Sequence, residues 1–306
     1  MTTVRITYSG APLDRAAALR ADDAKVRALL MGPSARIVPV WNQRHLFDAA
    51  QRAVALTFDA LADVALSESP PVFLGLLNGE AWFALSMAPS ETPPTLPTPG
   101  EFRTLNEVVT LLPADEASIL AYARAMTIWH DNHRHCGKCG AATQATENGH
   151  SRTCTNAACA HRAYPRTDPA VITLVEDPTG TRALLGRQAR WVNGMYSVIA
   201  GFVEPGESLE ETVIRETYEE TGIRVADVRY QASQPWPFPS SIMLGFRAKA
   251  LTTAISLDDN ELEDCAWFTR EELRSFGQAG GPFAERRLPN PFSIARYLLN
   301  GWLAEG

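Results

Sequence analysis

Two things are scarce in this 306-residue chain: cysteine, of which there are five, and uninterrupted apolar sequence. No apolar run reaches the roughly 20 residues that a membrane-spanning helix needs. The start shows no basic segment followed by an apolar stretch, and the final Leu-Ala-Glu-Gly is no peroxisomal or retention signal. The expectation is therefore a cytoplasmic protein without a membrane segment. Positive charge is also short, with 28 Lys and Arg against 35 Asp and Glu and a net charge of −7. That balance argues against a dedicated nucleic-acid binder, which normally shows a basic surface. What remains is 45% apolar and 21% charged, a soluble globular composition long enough for two ordinary domains, or one with an appendage.

Four of the five cysteines fall between positions 136 and 159, which suggests a metal site in a reducing compartment rather than a disulfide framework. Cys136 and Cys139 form C-x2-C, fourteen residues follow, and Cys154 and Cys159 form C-x4-C. Thiolates are good zinc ligands, and two cysteine turns joined by a hairpin can close a tetrahedron. Gly137 and Gly140 suit the tight turns. Four-thiolate iron, as in a rubredoxin-like site, is the competing metal. His130, His133, His135, His150 and His161 crowd the region, and His161 is the one that can replace a thiolate. With four ligands no coordination position stays open, so this metal is expected to be structural. A ribbon of this kind can also bind nucleic acid or protein, but Arg152, Arg162 and Arg166 supply little charge for that. Cys265 reads as a buried thiol.

Upstream, Asp22 to Met31 reads as a helix, and Arg36–Val40, Val54–Phe58, Val72–Leu77 and Ala81–Met87 as strands. Asn78-Gly79 is a hairpin turn between the last two, with the loop boundary open at Glu80. Trp41, Trp82 and Phe83 read as core. The proline-rich segment from Pro89 to Gly100 is excluded from helix and interior strand. Asp115 then caps a helix whose Ile119, Tyr122, Met126 and Trp129 recur at helical spacing.

Downstream, 201–223 reads as a glycine turn followed by a short acidic helix. Ser208 and Glu211 form a capping box, and Gly222 supplies the left-handed stop before Ile223. Glu216, Glu219 and Glu220 fall within an arc of about 100°, while Ile214, Tyr218 and Thr221 cluster opposite and are expected to face a sheet. Like charges at this spacing destabilise a helix, so the cluster needs a reason. Gly201, Glu207, Arg215, Glu216, Glu219, Glu220 and Gly222 follow G-x5-E-x7-R-E-x-x-E-E-x-G. In this the chain resembles the Nudix hydrolases, departing at Thr217, where that family usually has an aliphatic residue. The resemblance implies a divalent-metal enzyme cleaving a nucleoside diphosphate linked to another group.

Around this helix, Ala170–Glu176, Arg182–Gln188, Tyr196–Ile199, Val228–Ala232, Ile242–Ala250 and Ala266–Phe268 read as strands. Thr269 with Glu272 caps a short helix, and Asn290 caps a C-terminal one with Pro291 at its first position. Ten residues past the acidic helix comes Ser233-Gln-Pro-Trp-Pro-Phe-Pro-Ser-Ser241, whose three prolines exclude an ordinary ladder strand. Stiff aromatics on a rigid loop offer flat stacking surfaces at low entropic cost. This SQPWPFPxS segment, with the four-cysteine ribbon upstream, resembles the NADH pyrophosphatase family from about Cys136 onward.

That resemblance implies an α/β (α+β) fold, a Nudix α/β/α sandwich at 167–306 preceded by a zinc ribbon at 132–166. An N-terminal α/β domain at 1–131 carries the linker at 89–100. It implies an enzyme hydrolysing the pyrophosphate bond of NADH or NAD⁺ to nicotinamide mononucleotide and AMP. ADP-ribose and the NAD cap of RNA are alternative substrates, and a non-catalytic nucleic-acid module is the alternative of another class. Glu216, Glu219 and Glu220, with the Ala200 carbonyl, are the implied ligands of Mg²⁺ or Mn²⁺. Arg215 orients Glu219, Glu207 supports Arg215, and Glu261 is a metal ligand or general base. Tyr164, Phe202, Gln234, Pro235, Trp236, Pro237, Phe238, Pro239, Ser240, Ser241, Ala295 and Arg103 match substrate-contact positions. The family also implies a homodimer.

Overall fold

Alternation along single strands sets the layers. In the strand Asp168–Glu176, Val171 and Val175 pack into one apolar cluster, and Ile172 and Leu174 into another on the opposite face. The computed structural model describes residues 6–257 and 261–305 and divides into two units. One holds residues 8–167 with 236–240; the other holds 168–235 and 241–305 with Ile6 and Thr7.

The first unit runs α1 (Asp23–Met31), β1 (Ala35–Trp41), β2 (Arg44–Phe47), β3 (Val72–Leu77), β4 (Glu80–Ser86), β5 (Glu101–Arg103), α2 (Leu105–Val108) and α3 (Ala114–Asn132). Its strands form one sheet in the order β3-β4-β1-β2-β5, with β1 and β4 parallel. Ile37, Phe73, Phe83 and Leu85 fill its core with Trp41. The hairpin at Asn78-Gly79 forms as expected, both residues taking positive φ. Val54–Phe58 is not a strand: Leu56 exchanges two backbone bonds with Ile37, and no ladder follows. The α3 helix has its N-cap at Pro113, two residues earlier than expected, so Asp115 lies in the first turn instead of capping it. After α3 come β6 (Thr143–Thr146), β7 (Ser151–Cys154) and β8 (Arg162–Ala163), a three-stranded ribbon.

The second unit runs β9 (Asp168–Glu176), β10 (Arg182–Arg187), β11 (Ile199–Phe202), α4 (Leu209–Thr221), β12 (Val225–Trp236), β13 (Ser241–Ala250), β14 (Asp264–Thr269), α5 (Arg270–Ser275) and α6 (Ile294–Leu303). The sheet order is β12-β13-β9-β10-β14, with β11 also on β9 and β13 parallel to β9. On one face Ile294, Leu298, Leu299 and Trp302 of α6 meet Ile172 and Leu174; on the other, Val213 of α4 meets Val171 and Val175. This is the expected α/β/α sandwich.

Three local expectations change here. The α6 helix starts at Ser293, whose side chain accepts from the Arg296 N–H; Asn290 and Pro291 sit in the preceding turn. Pairing with β9 begins at Ile199, so Tyr196–Ile199 contributes only its last residue to β11. And β12 continues through Gln234 to Trp236, so the proline-aromatic segment is the end and tip of a hairpin. Prolines are tolerated there because β12 is the edge strand of its sheet.

Candidate active site and cysteine cluster

The acidic helix α4 has the caps its sequence encodes. Ser208 N–H donates to Glu211 Oε2 at 2.7 Å, Glu211 N–H to Ser208 Oγ at 3.2 Å, and Gly222 closes the helix at φ 70°. Its rotation differs from expectation. Val213, Thr217, Glu220 and Thr221 face inward, while Ile214 and Tyr218 are 43% and 50% exposed. Residues 213, 217, 220 and 221 lie within about 100° of one another on a helical wheel. The glutamates therefore straddle the rim: Glu220 is buried, the Glu216 side chain keeps 14% of its exposure and Glu219 keeps 54%. The space for that seating comes from Gly201 on β11, where a Cβ would lie 1.8 Å from Glu216 Cδ. Thr217 is fully buried, and among the described residues its hydroxyl has no partner.

Arg215 is the hub. Its Nε donates to Glu207 Oε1 at 2.6 Å and its Nη1 to Glu216 Oε1 and Glu219 Oε2, both at 2.9 Å. Its Nη2 donates to Glu207 Oε2 at 2.9 Å and to the Phe202 carbonyl at 3.0 Å, tying α4 to β11. The Arg215 guanidinium holds the Glu207 carboxyl down at about 2, and the carboxylates raise Arg215 in return. Glu216 is shifted upward, first by burial and then by the Glu219 and Glu261 charges, against the lowering pull of Arg215. Glu261 thus shares a field with the helix, although Asp259 and Asn260 beside it lie outside the described residues. Its Oε1 faces Gln188 Nε2 at 3.4 Å, and Arg190 Nε donates to Gln188 Oε1 at 2.8 Å.

Hard oxygen donors of this kind suit a hard divalent cation rather than a softer metal. The carboxylates fit such a cation in type and placement along one helix edge, and Arg215 now shares two of them. Among the described residues, only the four cysteines bring three or more metal-binding atoms within 4.8 Å of one another.

The cysteines make that second group. Cys136 and Cys159 Sγ are 3.9 Å apart, and Cys139 and Cys154 Sγ 3.5 Å. A tetrahedron with Zn–S bonds of about 2.3 Å has edges of about 3.8 Å. Gly140 takes φ 76° after the first knuckle and Ala160 φ 45° after the second, whereas Gly137 needs no positive φ. No histidine enters the cluster. His130 and His150 are buried instead, bonded to the Gly149 and Phe73 carbonyls, and burial pushes each down to about 4. Cys265 is the expected buried thiol, pushed up to about 12 by burial.

The remaining sequence-derived positions are spread more widely. Ala200 lies on β11 beside Gly201, and Phe202 ends that strand 58% exposed. Trp236 and Phe238 meet edge to face at 5.2 Å, with Pro235 and Pro239 exposed beside them and Ser240 and Ser241 leading into β13. Gln234 is fully buried: its Nε2 donates to the Thr7 and Phe292 carbonyls, and its Oε1 accepts from Ile294 N–H. Ala295, next in α6, is 3% exposed within the apolar cluster. Tyr164 and Arg103 belong to the other unit, Tyr164 half-exposed beside a cavity of about 510 Å³ and Arg103 bonded to Gln51. Two residues went unread in the sequence: Gln188, which only the fold sets against Glu261, and Thr212, whose hydroxyl donates to Glu207 Oε2 at 2.9 Å.

Comparison with known proteins agrees with this architecture. Residues 166–287 match the NUDIX domain model, 131–164 the NADH pyrophosphatase zinc ribbon domain, and 34–129 the NADH pyrophosphatase-like rudimentary NUDIX domain. The NAD-capped RNA hydrolase NudC of Mycobacterium bovis is 37% identical over 302 residues, covering 95% of this chain and 92% of that protein. The chain belongs to the NADH pyrophosphatase family of the Nudix hydrolases. Within that family, Nudix hydrolase 19, chloroplastic, of Arabidopsis thaliana is 42% identical over 228 residues, 62% of this chain and 52% of its own length. The human NAD-capped RNA hydrolase NUDT12 is 39% identical over 239 residues, 73% of this chain and 50% of its own. The chain thus spans about half the length of these plant and animal relatives. The zinc ribbon match favours zinc over iron for the cysteine cluster, and no helix among the described residues is long and apolar enough to cross a membrane.

Proposed function

We propose that this chain hydrolyses the pyrophosphate bond of NADH or NAD⁺, releasing nicotinamide mononucleotide and AMP. The observation that carries the reading is the α4 edge, where Arg215 holds the Glu216 and Glu219 carboxylates together and Glu216 fills the gap at Gly201 on β11. Glu216, Glu219 and Glu220, with the Ala200 carbonyl, would hold Mg²⁺ or Mn²⁺. Bound there, the cations would offset the carboxylate repulsion, polarise the phosphoryl oxygens and activate water. Arg215 keeps Glu219 aimed, and Glu207 fixes Arg215. Glu261, steadied by Gln188, serves as ligand or general base. The dinucleotide rings stack on Trp236 and Phe238, with Phe202 and Tyr164 as further contact surfaces. Gln234 and Ala295 act on the substrate through their backbone surroundings, because the Gln234 amide is engaged with main-chain groups and the Ala295 methyl is buried. We assign Arg103 a substrate contact on resemblance alone. A homodimer in the cytoplasm completes the reading.

A second substrate calls for the same assay: the NAD cap of RNA presents the same bond, and the mycobacterial and human relatives are named for it. The test is to incubate purified protein with Mn²⁺ and NADH, NAD⁺, ADP-ribose or NAD-capped RNA, following AMP or decapped RNA. Release of AMP from NADH or NAD⁺ is the expected result. Hydrolysis of ADP-ribose alone would displace the substrate reading, and no hydrolysis of any of the four, with RNA binding intact, would leave a non-catalytic module. The same assay checks the seating of α4. Gly201→Ala keeps the fold, since the flexible Glu216 carboxylate yields to the new methyl, but displaces that carboxylate by about an ångström or more. Hydrolysis is expected to fall about 100-fold, the usual cost of such misplacement, with the melting temperature nearly unchanged.

A further inference from the structure

The aromatic tip has a shortage of its own. Pro235, Pro237 and Pro239 remove three N–H groups from one short segment, so its carbonyls must find donors elsewhere. Within the tip, Phe238 N–H reaches the Trp236 carbonyl at 2.8 Å. The buried Pro237 carbonyl accepts instead from Nε of Arg124, in the middle of α3, at 2.7 Å. The other arms of that guanidinium donate to Gln43, Nη1 to its carbonyl and Nη2 to its Oε1, each at 2.6 Å. Its Cζ also lies over the Phe238 ring, 5.1 Å from the centroid. Tyr8, 3% exposed, closes the other side, with its ring edge-on to Trp236 at 6.3 Å and to Phe238 at 5.9 Å.

Arg124 is only 8% exposed, and among the described residues its hydrogen-bond partners are carbonyl and amide oxygens, never a carboxylate. His45, fully buried on β2, is held neutral, pushed down to about 3 by burial and by the Arg124 charge. A buried cation without a counter-ion is expensive, so its place in the core calls for a geometric return. A planar fork supplies one, since it fixes two acceptors and a ring face at set angles, which lysine cannot do.

We propose that Arg124 is a positioning residue for the dinucleotide site, holding the Trp236–Phe238 tip in the orientation that stacks on substrate. This rests on reading the tip as a substrate-contact surface. Within their unit, α3 and the Asn42-Gln43 turn between β1 and β2 form the bracket in which the tip is set.

The test uses full-length protein labelled with 5-fluorotryptophan, the Trp236 resonance being assigned with Trp236→Phe. In Arg124→Met the ¹⁹F resonance of Trp236 should shift or broaden while the other tryptophans and the zinc content stay unchanged. KM for the dinucleotide should rise about tenfold, as expected for losing a hydrogen bond from a charged donor, with kcat within about threefold. Arg124→Lys should not restore KM. Gln43→Ala, at an exposed turn, should move both readouts in the same direction by about threefold in KM, and it decides the matter if Arg124→Met does not fold. An unmoved Trp236 resonance, or a lowered kcat at unchanged KM, overturns the proposal. Should the wild-type protein hydrolyse none of the dinucleotides, the substrate reading fails and the ¹⁹F readout alone decides whether Arg124 sets the tip.

Discussion

Glu220→Gln should reduce hydrolysis by about a thousandfold, the scale on which losing several kcal/mol of charge stabilisation lowers a rate. Of the three helix glutamates Glu220 is the one at the inner rim of α4, 3% exposed, close enough to Cys265 to help raise that thiol. Glutamine keeps the volume and removes the charge, so packing against the sheet survives. The signs of two readouts should then separate. Without divalent metal the variant should melt at or above the wild-type temperature, because a buried like charge has been removed from a helix that carries two more. With Mn²⁺ added, the wild-type protein should gain stability through binding, and the variant should gain little. A variant that hydrolyses NADH at wild-type rate would remove Glu220 from the mechanism. One that lost activity yet kept its full Mn²⁺ stabilisation would move its role away from holding metal.

The acidic helix was legible because everything that defines it is local. The Ser208–Glu211 box, the Gly222 stop and the glutamate spacing all act within a few turns. Its rotation was not legible, since the side facing the sheet is chosen by a residue on another strand: Gly201 leaves a gap that the Glu216 carboxylate fills, and Ile214 and Tyr218 turn outward as a consequence. The same distinction separates other outcomes. The cysteine cluster could be read from two short spacings. Val54–Phe58 has the composition of a strand, but its backbone bonds are split, Val54 N–H going to the Leu46 carbonyl and Leu56 pairing with Ile37, so no ladder forms. Asn290 and Pro291 have the chemistry of a helix start, yet Ser293 does the capping because its hydroxyl is placed to accept from Arg296 N–H. Arg124 left no trace in the sequence, its key acceptor lying 113 residues away and being a backbone carbonyl, which has no residue type.

Gln234 shows how a member of a recognisable motif can also be tied into the fold. Its position in the proline-aromatic segment suggests contact with a ligand. In the fold its amide group makes three bonds to main-chain atoms, joining the end of β12 to Thr7, Phe292 and the first turn of α6. Buried amides are costly unless paired, and this one is paired with parts of the chain that must stay in register for the hairpin to project its tip. The ring surfaces of Trp236 and Phe238 can then be rigid without being stiffened by the substrate.

Cys154→Ser should empty the cysteine site and loosen the unit around it, lowering the melting temperature by about 10 °C or more, given structural-zinc binding energies of roughly 10 kcal/mol or above and a few degrees per kcal/mol. Cys154 is buried at the end of β7, facing Thr143 across the ribbon. That strand does more than carry a ligand. Arg152, two residues earlier, reaches His130 Nδ1 of α3 at 2.9 Å, and His150 just before the strand donates to the Phe73 carbonyl at 2.6 Å. Both histidines are buried and held neutral, so their bonds depend on the ribbon keeping its place. Loss of the metal should therefore spread into α3, and through α3 to the bracket holding Trp236 and Phe238. Metal analysis of wild-type protein should find one zinc and no iron per chain, and the serine variant should retain almost none. Dinucleotide KM should rise in the variant well below its melting point, whereas the Mn²⁺ stabilisation carried by α4 should persist. Full zinc content in Cys154→Ser, or an unchanged KM after the zinc is gone, would confine the ribbon to a separate role and sever it from the tip.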